Sequence, residues 1–502
     1  MSTSSGLAAN APDVEADIAQ SRLYNHDLAP VSDANRKWGM LSFAALWVSM
    51  SACIPTYMLA SSLIGGGMNW WQAVLTIFLG NLIVLVPMIL NAHAGTKYGI
   101  PFPVYCRASF GTLGANVPAI LRALVACGWF GIQAWIGGDA IYKICITILD
   151  LKPAAPIGWL GINAGQFASF LFFWGINLWV IYRGIDTIRF LLNIKAPLLV
   201  ALGLLLLWWA WRKAGGFGPM LSQPSAFEAG QPKAGQFWTY FFPALTGMIG
   251  FWATLSLNIP DFSRYAKSQR DQVVGQALGL PTTMALYSFI GVGVTSATTV
   301  IFGETLWNPV DVLTQFDSHA VLITAMISLC VATLATNIAA NVVSPANDFA
   351  NVFPKKISFR VGGYITGIIG ILIMPWKLME NPDRYINWLV SYSALLGPIG
   401  GILIADYFVW RKRTLNVTAL YQADGEYRFT NGFSLVALLS LIVGAAPSLP
   451  GFLVQIKALK AESVPSWMAH LYHYAWFIGF IVAFVTYLLG RNLANRSAPA
   501  RR

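Results

Sequence analysis

Charge is scarce in this sequence. Only 11% of its 502 residues are Asp, Glu, Lys or Arg, while 56% are hydrophobic; a soluble domain carries roughly 25% charged residues. With a mean hydropathy of +0.59, this deficit excludes an ordinary soluble protein and leaves an all-α polytopic membrane protein. The five cysteines, Cys53, Cys106, Cys127, Cys145 and Cys330, sit in or beside apolar segments at irregular spacing. That excludes a disulfide framework and a zinc pattern. The five histidines form no H-E-x-x-H motif and no phosphate-binding G-x-x-x-x-G-K-[ST] loop occurs, so zinc hydrolysis and ATP-driven pumping have no carrier residues. No repeated acidic or carbonyl-lined ring of a channel filter is visible. Residues 1–36 lack the basic and then apolar pattern of a signal peptide and are expected to be a disordered cytoplasmic tail.

What the chain has is long apolar runs. Read as segments of about 20 residues, they give about twelve spans: 40–66, 70–92, 116–148, 157–182, 188–211, 238–260, 278–303, 319–345, 358–375, 385–409, 432–456 and 468–490. With the N-terminus inside, about 21 of the 32 Lys and Arg fall on the cytoplasmic side, about 8 outside and 3 within spans. The net charge of +11 therefore marks topology rather than a nucleic-acid partner, and both termini are expected in the cytoplasm of a bacterial-type inner membrane. The loops are too short for an independent soluble core. The segment "KYGIPFPVYCRASFG" (97–111) reads as a structured inner loop or a short interfacial helix.

Two copies of W-x3-S-x2-I-P, "WVSMSACIP" (47–55) and "WATLSLNIP" (252–260), lie 205 residues apart in the first and sixth spans. The first span runs inside to outside and the sixth outside to inside, so the repeat they suggest is inverted. Secondary transporters are commonly built this way, with substrate held on interrupted helices at the repeat interface, and the proline in each copy removes a helical donor. The expected organisation is a cytoplasmic tail (1–36), a first repeat (37–211), an outer linker (212–237), a second repeat (238–409), spans 11 and 12 with their loops (410–490) and a final tail (491–502).

Polar and aromatic groups at mid-span are the candidate site. Trp129 and Gln133 share a helix face at i, i+4, as do Asn337 and Asn341 beside Thr336. Trp252 follows Gly247 and Gly250, and Asn258 precedes Pro260. Indoles can sandwich a flat ring, and Gln and Asn match an amide–imide edge because each both donates and accepts. Together they suit a neutral heterocycle better than a sugar or an amino acid. The competing role for such groups is helix–helix contact, which also uses Asn, Gln, Ser and Thr; for Asn341 alone the two readings are level. Asp139 and Lys143, again at i, i+4, read as a structural pair near the outer surface, and Arg122 and Lys195 as side chains that snorkel to an interface.

At these residues the chain resembles the nucleobase–cation-symport-1 family, including hydantoin transporters and allantoin or uracil permeases. "WFGIQAW" (129–135), "NIPDFSRYAKS" (258–268), "TNIAANVVSPA" (336–346), "MPWKL" (374–378) and "LLGPIGGILIADYF" (395–408) carry the resemblance in the family's order. It implies a leucine-transporter-type fold of five-plus-five inverted repeats with two further helices. It also implies a substrate held by Trp129, Gln133, Trp252 and Asn341, with Phe251 and Cys53 completing the binding set. Cys53 stands where the hydantoin transporter has glutamine, so one edge of the substrate is expected to be read differently. The implied sodium site takes Ser49, Ala52 and Ala332 as carbonyl ligands and Thr336 as a hydroxyl ligand; Ala335 replaces a second hydroxyl, so Na+ or H+ both stay open as coupling cation. The expected protein is a monomeric, cofactor-free importer of uracil-, allantoin- or hydantoin-type compounds that contacts membrane lipid and no nucleic acid. The alternative is a membrane sensor that binds such a ligand without moving it, and an enzyme is not expected.

Overall fold

A computed structural model describes residues 18–183 and 185–497. Among the described residues, eight helices are long and apolar enough to cross a membrane, and a ninth crossing comes from Met40–Ser51 and Ile54–Gly65, which bend by 59° at their break. The three other expected spans fall on Ile185–Lys213, on the sixth (Phe237–Phe251, Ala253–Asn258 and Pro260–Ser263) and on Phe359–Leu372, a helix of only 14 residues. The side chain of Lys195 and residues 1–17 and 498–502 of the expected tails lie outside the described residues.

The helices pack in two groups. The first, second, sixth and seventh spans pack together, as do the third, fourth, eighth and ninth, and the tenth touches both groups and the twelfth. Close approach in the first group rests on small residues, as is usual between membrane helices. On the seventh span (Gln269–Phe302) a Cβ at Gly275 or Gly279 would lie 2.5 Å from the Met40 carbonyl or 2.9 Å from the Trp47 Cβ, so the first span can seat there only against glycine.

Four expectations need correction. Residues 18–36 are not a loose tail: Leu23 and Leu28 are buried, and the segment is tied to the helix bundle by Tyr421 Oη donating to the Leu28 carbonyl at 2.6 Å and Arg264 Nη1 to the Asp27 carbonyl at 2.9 Å. The short helix Phe102–Phe110 is buried along its whole length rather than interfacial. Its Arg107 bonds the Leu420 and Leu23 carbonyls and Asn351, which shows why a basic residue is tolerated there. Arg122 does not snorkel; it is fully buried and pairs with Asp348 at 3.2 Å, a carboxylate 226 residues away that removes the need to reach water. The W-x3-S-x2-I-P copies are also out of register with the breaks. The first span breaks at Ala52 and Cys53, the sixth and seventh positions of its copy, whereas the sixth span first breaks at Trp252, position one. The Asp139–Lys143 pair forms as expected at 3.1 Å, and Lys143 also bonds Asp311.

Candidate substrate cavity

The breaks converge on one cavity between the two helix groups. It is narrow, with a volume of about 30 Å3, and is lined, among others, by Cys53, Trp129, Gln133, Phe251, Trp252, Thr336 and Asn341. All six expected substrate residues therefore meet at one place, although they come from the first, third, sixth and eighth spans. Trp129 and Trp252 are 6% and 4% exposed, whereas Trp71, Trp159, Trp179 and Trp238 are 49–71% exposed at the protein's outer surface. The two cavity indoles are set apart from the interfacial anchors by that difference.

Ring geometry defines the walls. Phe251 meets Trp129 edge-on at 5.2 Å between centroids and Trp252 edge-on at 4.9 Å. Trp252 also meets Trp47 edge-on at 5.2 Å. Edge-on contacts of this kind add roughly 0.5–1.5 kcal/mol per aromatic pair and fix the orientation of the cavity rings. Trp129 is backed by Tyr385 of the tenth span, which meets it at 6.2 Å and donates its hydroxyl to the carbonyl of the cavity-lining Pro55 at 3.2 Å. Tyr385 and the cavity-lining Thr254 were not singled out from sequence. Tyr385 lies within the otherwise unremarked run "RYINWLVSY" (384–392), where aromatic residues are frequent enough to hide it.

The amides are unequally committed. Asn341 donates to Asn337 Oδ1 at 3.0 Å, and Asn337 donates to the Phe130 carbonyl and to Asn177 Oδ1, both at 3.1 Å. Asn337 thus ties the eighth span to the third and fourth, and holds Asn341 in place. Gln133 Oε1 and Trp252 Nε1 are buried without a partner. Such orphaned groups cost of order 1–3 kcal/mol each, a penalty that a ligand carrying a donor and an acceptor would relieve. Cys53 Sγ lies 3.2 Å from Thr56 Oγ1.

Of the residues of the expected cation site, Thr336 lines the same cavity. Thr336 Oγ1 donates to the Ala332 carbonyl at 2.9 Å, leaving its lone pairs for another partner. Ala52, Ala332 and Ala335 are buried and Ser49 is half-buried. Thr333, one residue after Ala332, carries a buried hydroxyl without a partner. A helix C-terminus carries partial negative charge, and Met40–Ser51 ends here.

Comparison with known proteins decides the family. Residues 30–479 match the model for permeases for cytosine/purines, uracil, thiamine and allantoin. The chain belongs to this permease family. It is a multi-pass membrane transporter and not an enzyme. The permease is 45% identical over 483 residues to a purine-uracil permease of Arabidopsis thaliana, covering 95% of this chain and 79% of that one. It is 41% identical over 480 residues to the allantoin permease of Bacillus subtilis, covering 95% and 94%. Among solved structures, the nucleobase-cation-symport-1 family transporter Mhp1, closed with bromovinylhydantoin bound, matches with a TM-score of 0.76 at 25% identity, over 95% of this permease and 97% of Mhp1. The permease has the leucine-transporter-type inverted-repeat fold.

Proposed function

We propose that this permease imports single-ring heterocycles bearing amide or imide groups, of the uracil, allantoin or hydantoin type, by cation-coupled alternating access. The observation that carries this reading is the joint lining of one buried cavity by Trp129, Gln133, Phe251, Trp252 and Asn341. The printed functions of the plant and bacterial relatives, purine-uracil and allantoin permeases, include two members of that class, uracil and allantoin.

In this reading the ring stacks against Trp129 and Trp252, Gln133 Oε1 accepts an N–H from its edge, and Asn341 reads the other side. The coupling cation travels as a second cargo beside Thr336, Ala332 and the first-span break, and Na+ and H+ are the two candidates. Binding both cargoes shifts the permease between outward- and inward-open states. The permease works as a monomer in the cytoplasmic membrane with both termini inside.

The test is radiolabelled uptake into proteoliposomes under an imposed Na+ or H+ gradient. Uracil, allantoin or a hydantoin accumulates with the parent, and Trp129→Ala and Asn341→Ala abolish accumulation while the protein remains in the membrane. Normal uptake by both variants would remove these residues from the site. Binding without accumulation under either gradient would favour the sensor.

A further inference from the structure

A polar stripe descends from the cavity along the cytoplasmic half of the eighth span. Asn341, which lines the cavity, is followed by Ser344, Asp348 and Asn351. Asn341 ends the helix His319–Asn341, and beyond the break at Val342 the spacings of four and three keep Ser344, Asp348 and Asn351 on one face of Val343–Val352; all four residues are buried. A matching stripe faces it from the sixth span. Leu255 lines the cavity, and Asn258, Asp261 and Arg264 follow at intervals of three.

The two stripes meet one turn below the cavity floor. Ser344 Oγ donates to Asp261 Oδ2 at 2.8 Å, and Asn258 Nδ2 donates to Ser344 Oγ. The other Asp261 oxygen accepts the Phe102 N–H at 2.9 Å. Asp261 therefore joins the sixth span, the eighth span and the short inner helix, which belong to different parts of the packing. A turn further down, Arg122 of the third span bonds Asp348, and Asn351 bonds Arg107 and Asn116.

We propose that these facing stripes line the cytoplasmic exit path of the substrate and that Asp261 with Ser344 is the latch that holds it shut. The proposal rests on the transport reading above and adds the route and its gate. A permanent seam between helices has no need of this polarity. Asn258 Oδ1, Asp348 Oδ1 and two Arg122 nitrogens are buried in it without partners, and such groups are costly when dry. Water entering an open path satisfies all of them. The closed state is thereby kept close in free energy to the open one, as alternating access requires.

The native thiol of Cys106 reports on the latch. It is fully buried on the short inner helix Phe102–Phe110, whose first residue donates its N–H to Asp261. Inside-out membrane vesicles are treated with a maleimide, and modification of Cys106 is followed by peptide mass spectrometry. Asp261→Asn and Ser344→Ala raise the Cys106 rate at least threefold over the parent, and Ser344→Thr, which keeps the hydroxyl, stays within twofold. Parental rates in both loosened variants would overturn the latch, and Ser344→Ala decides alone if Asp261→Asn does not reach the membrane. The readout needs no substrate. A shifted Cys106 rate with no parental uptake would defeat the transport reading, whereas intact uptake with an unresponsive Cys106 would defeat the latch.

Discussion

The first and sixth spans are both interrupted beside the cavity, but they break differently. In the first, the backbone leaves the helix for two residues: Ala52 sits at φ −74°, ψ 86° and Cys53 at φ −151°, ψ 159°. The Cys53 N–H turns to the Ser51 carbonyl at 2.9 Å and the axis bends by 59°. In the sixth, only Trp252 departs, at φ −105°, ψ 5°, and its N–H still bonds the Ile249 carbonyl at 3.2 Å. The first break therefore presents helix ends and main-chain groups, while the sixth presents two consecutive rings, Phe251 and Trp252. Main-chain oxygens and a helix C-terminus suit a small cation. Rings suit a flat heterocycle. We infer a division of labour, with the first break serving the cation and the sixth the organic substrate.

That division is broken most severely by moving the sixth span. A Cβ at Gly250 would lie 2.3 Å from Ser393 Oγ and 2.7 Å from the Leu389 carbonyl, so Gly250→Ala pushes the helix off the tenth span just before Trp252. Overpacking of this kind costs about 1–3 kcal/mol. The variant is expected to melt at lower temperature and to lose most substrate affinity, while Gly247→Ala, whose nearest neighbour would be 3.6 Å away, retains both. Equal melting temperatures and affinities for the two variants would show that the rings are not positioned by this contact.

The cation side is sharpened by two substitutions of opposite sign. Thr336→Ala removes the hydroxyl that the expected site retains, and Ala335→Ser restores the one it lacks. With Na+ as the coupling ion, the half-saturating concentration for uptake rises roughly tenfold in the first, about 1.4 kcal/mol, and falls in the second. Substrate affinity at saturating Na+ moves less than twofold in both. Uptake that ignores Na+ in parent and variants alike would assign the coupling to protons. A large loss of substrate affinity in Thr336→Ala would merge the two halves of the comparison into one site.

What could be read from sequence was local. Trp129 with Gln133 and Asn337 with Asn341 are four residues apart, so helix periodicity alone places each pair on one face. The apolar runs located most spans for the same reason. Contacts between distant segments were not readable. Arg122 and Asp348, 226 residues apart, read separately as an interfacial arginine and an unremarked acid. Tyr385 bonds the carbonyl of the cavity-lining Pro55 330 residues away, a link with no local trace. The repeat motif shows the converse error. A sequence match in the first and sixth spans pointed toward the inverted-repeat fold, yet it misplaces one break against the other by five positions, because proline and small residues recur in membrane helices without marking equivalent sites.

The smallest effect is expected where the two breaks meet. Cys53 ends the first break, lines the cavity and is 3% exposed, so a longer side chain there must project into the substrate space. The resemblance to hydantoin transporters points to glutamine at this position. Cys53→Gln exchanges a thiol, a poor hydrogen-bond partner, for an amide that both donates and accepts. One added hydrogen bond is worth about 1 kcal/mol net, and the lost volume opposes it. Binding of hydantoin relative to uracil, measured by competition, is therefore expected to rise a few-fold, with cation dependence unchanged. A ratio that stays constant or moves toward uracil would mean that Cys53 serves only the bend. An altered cation requirement would mean that the first break also controls the organic substrate, and the division between the two breaks would not hold.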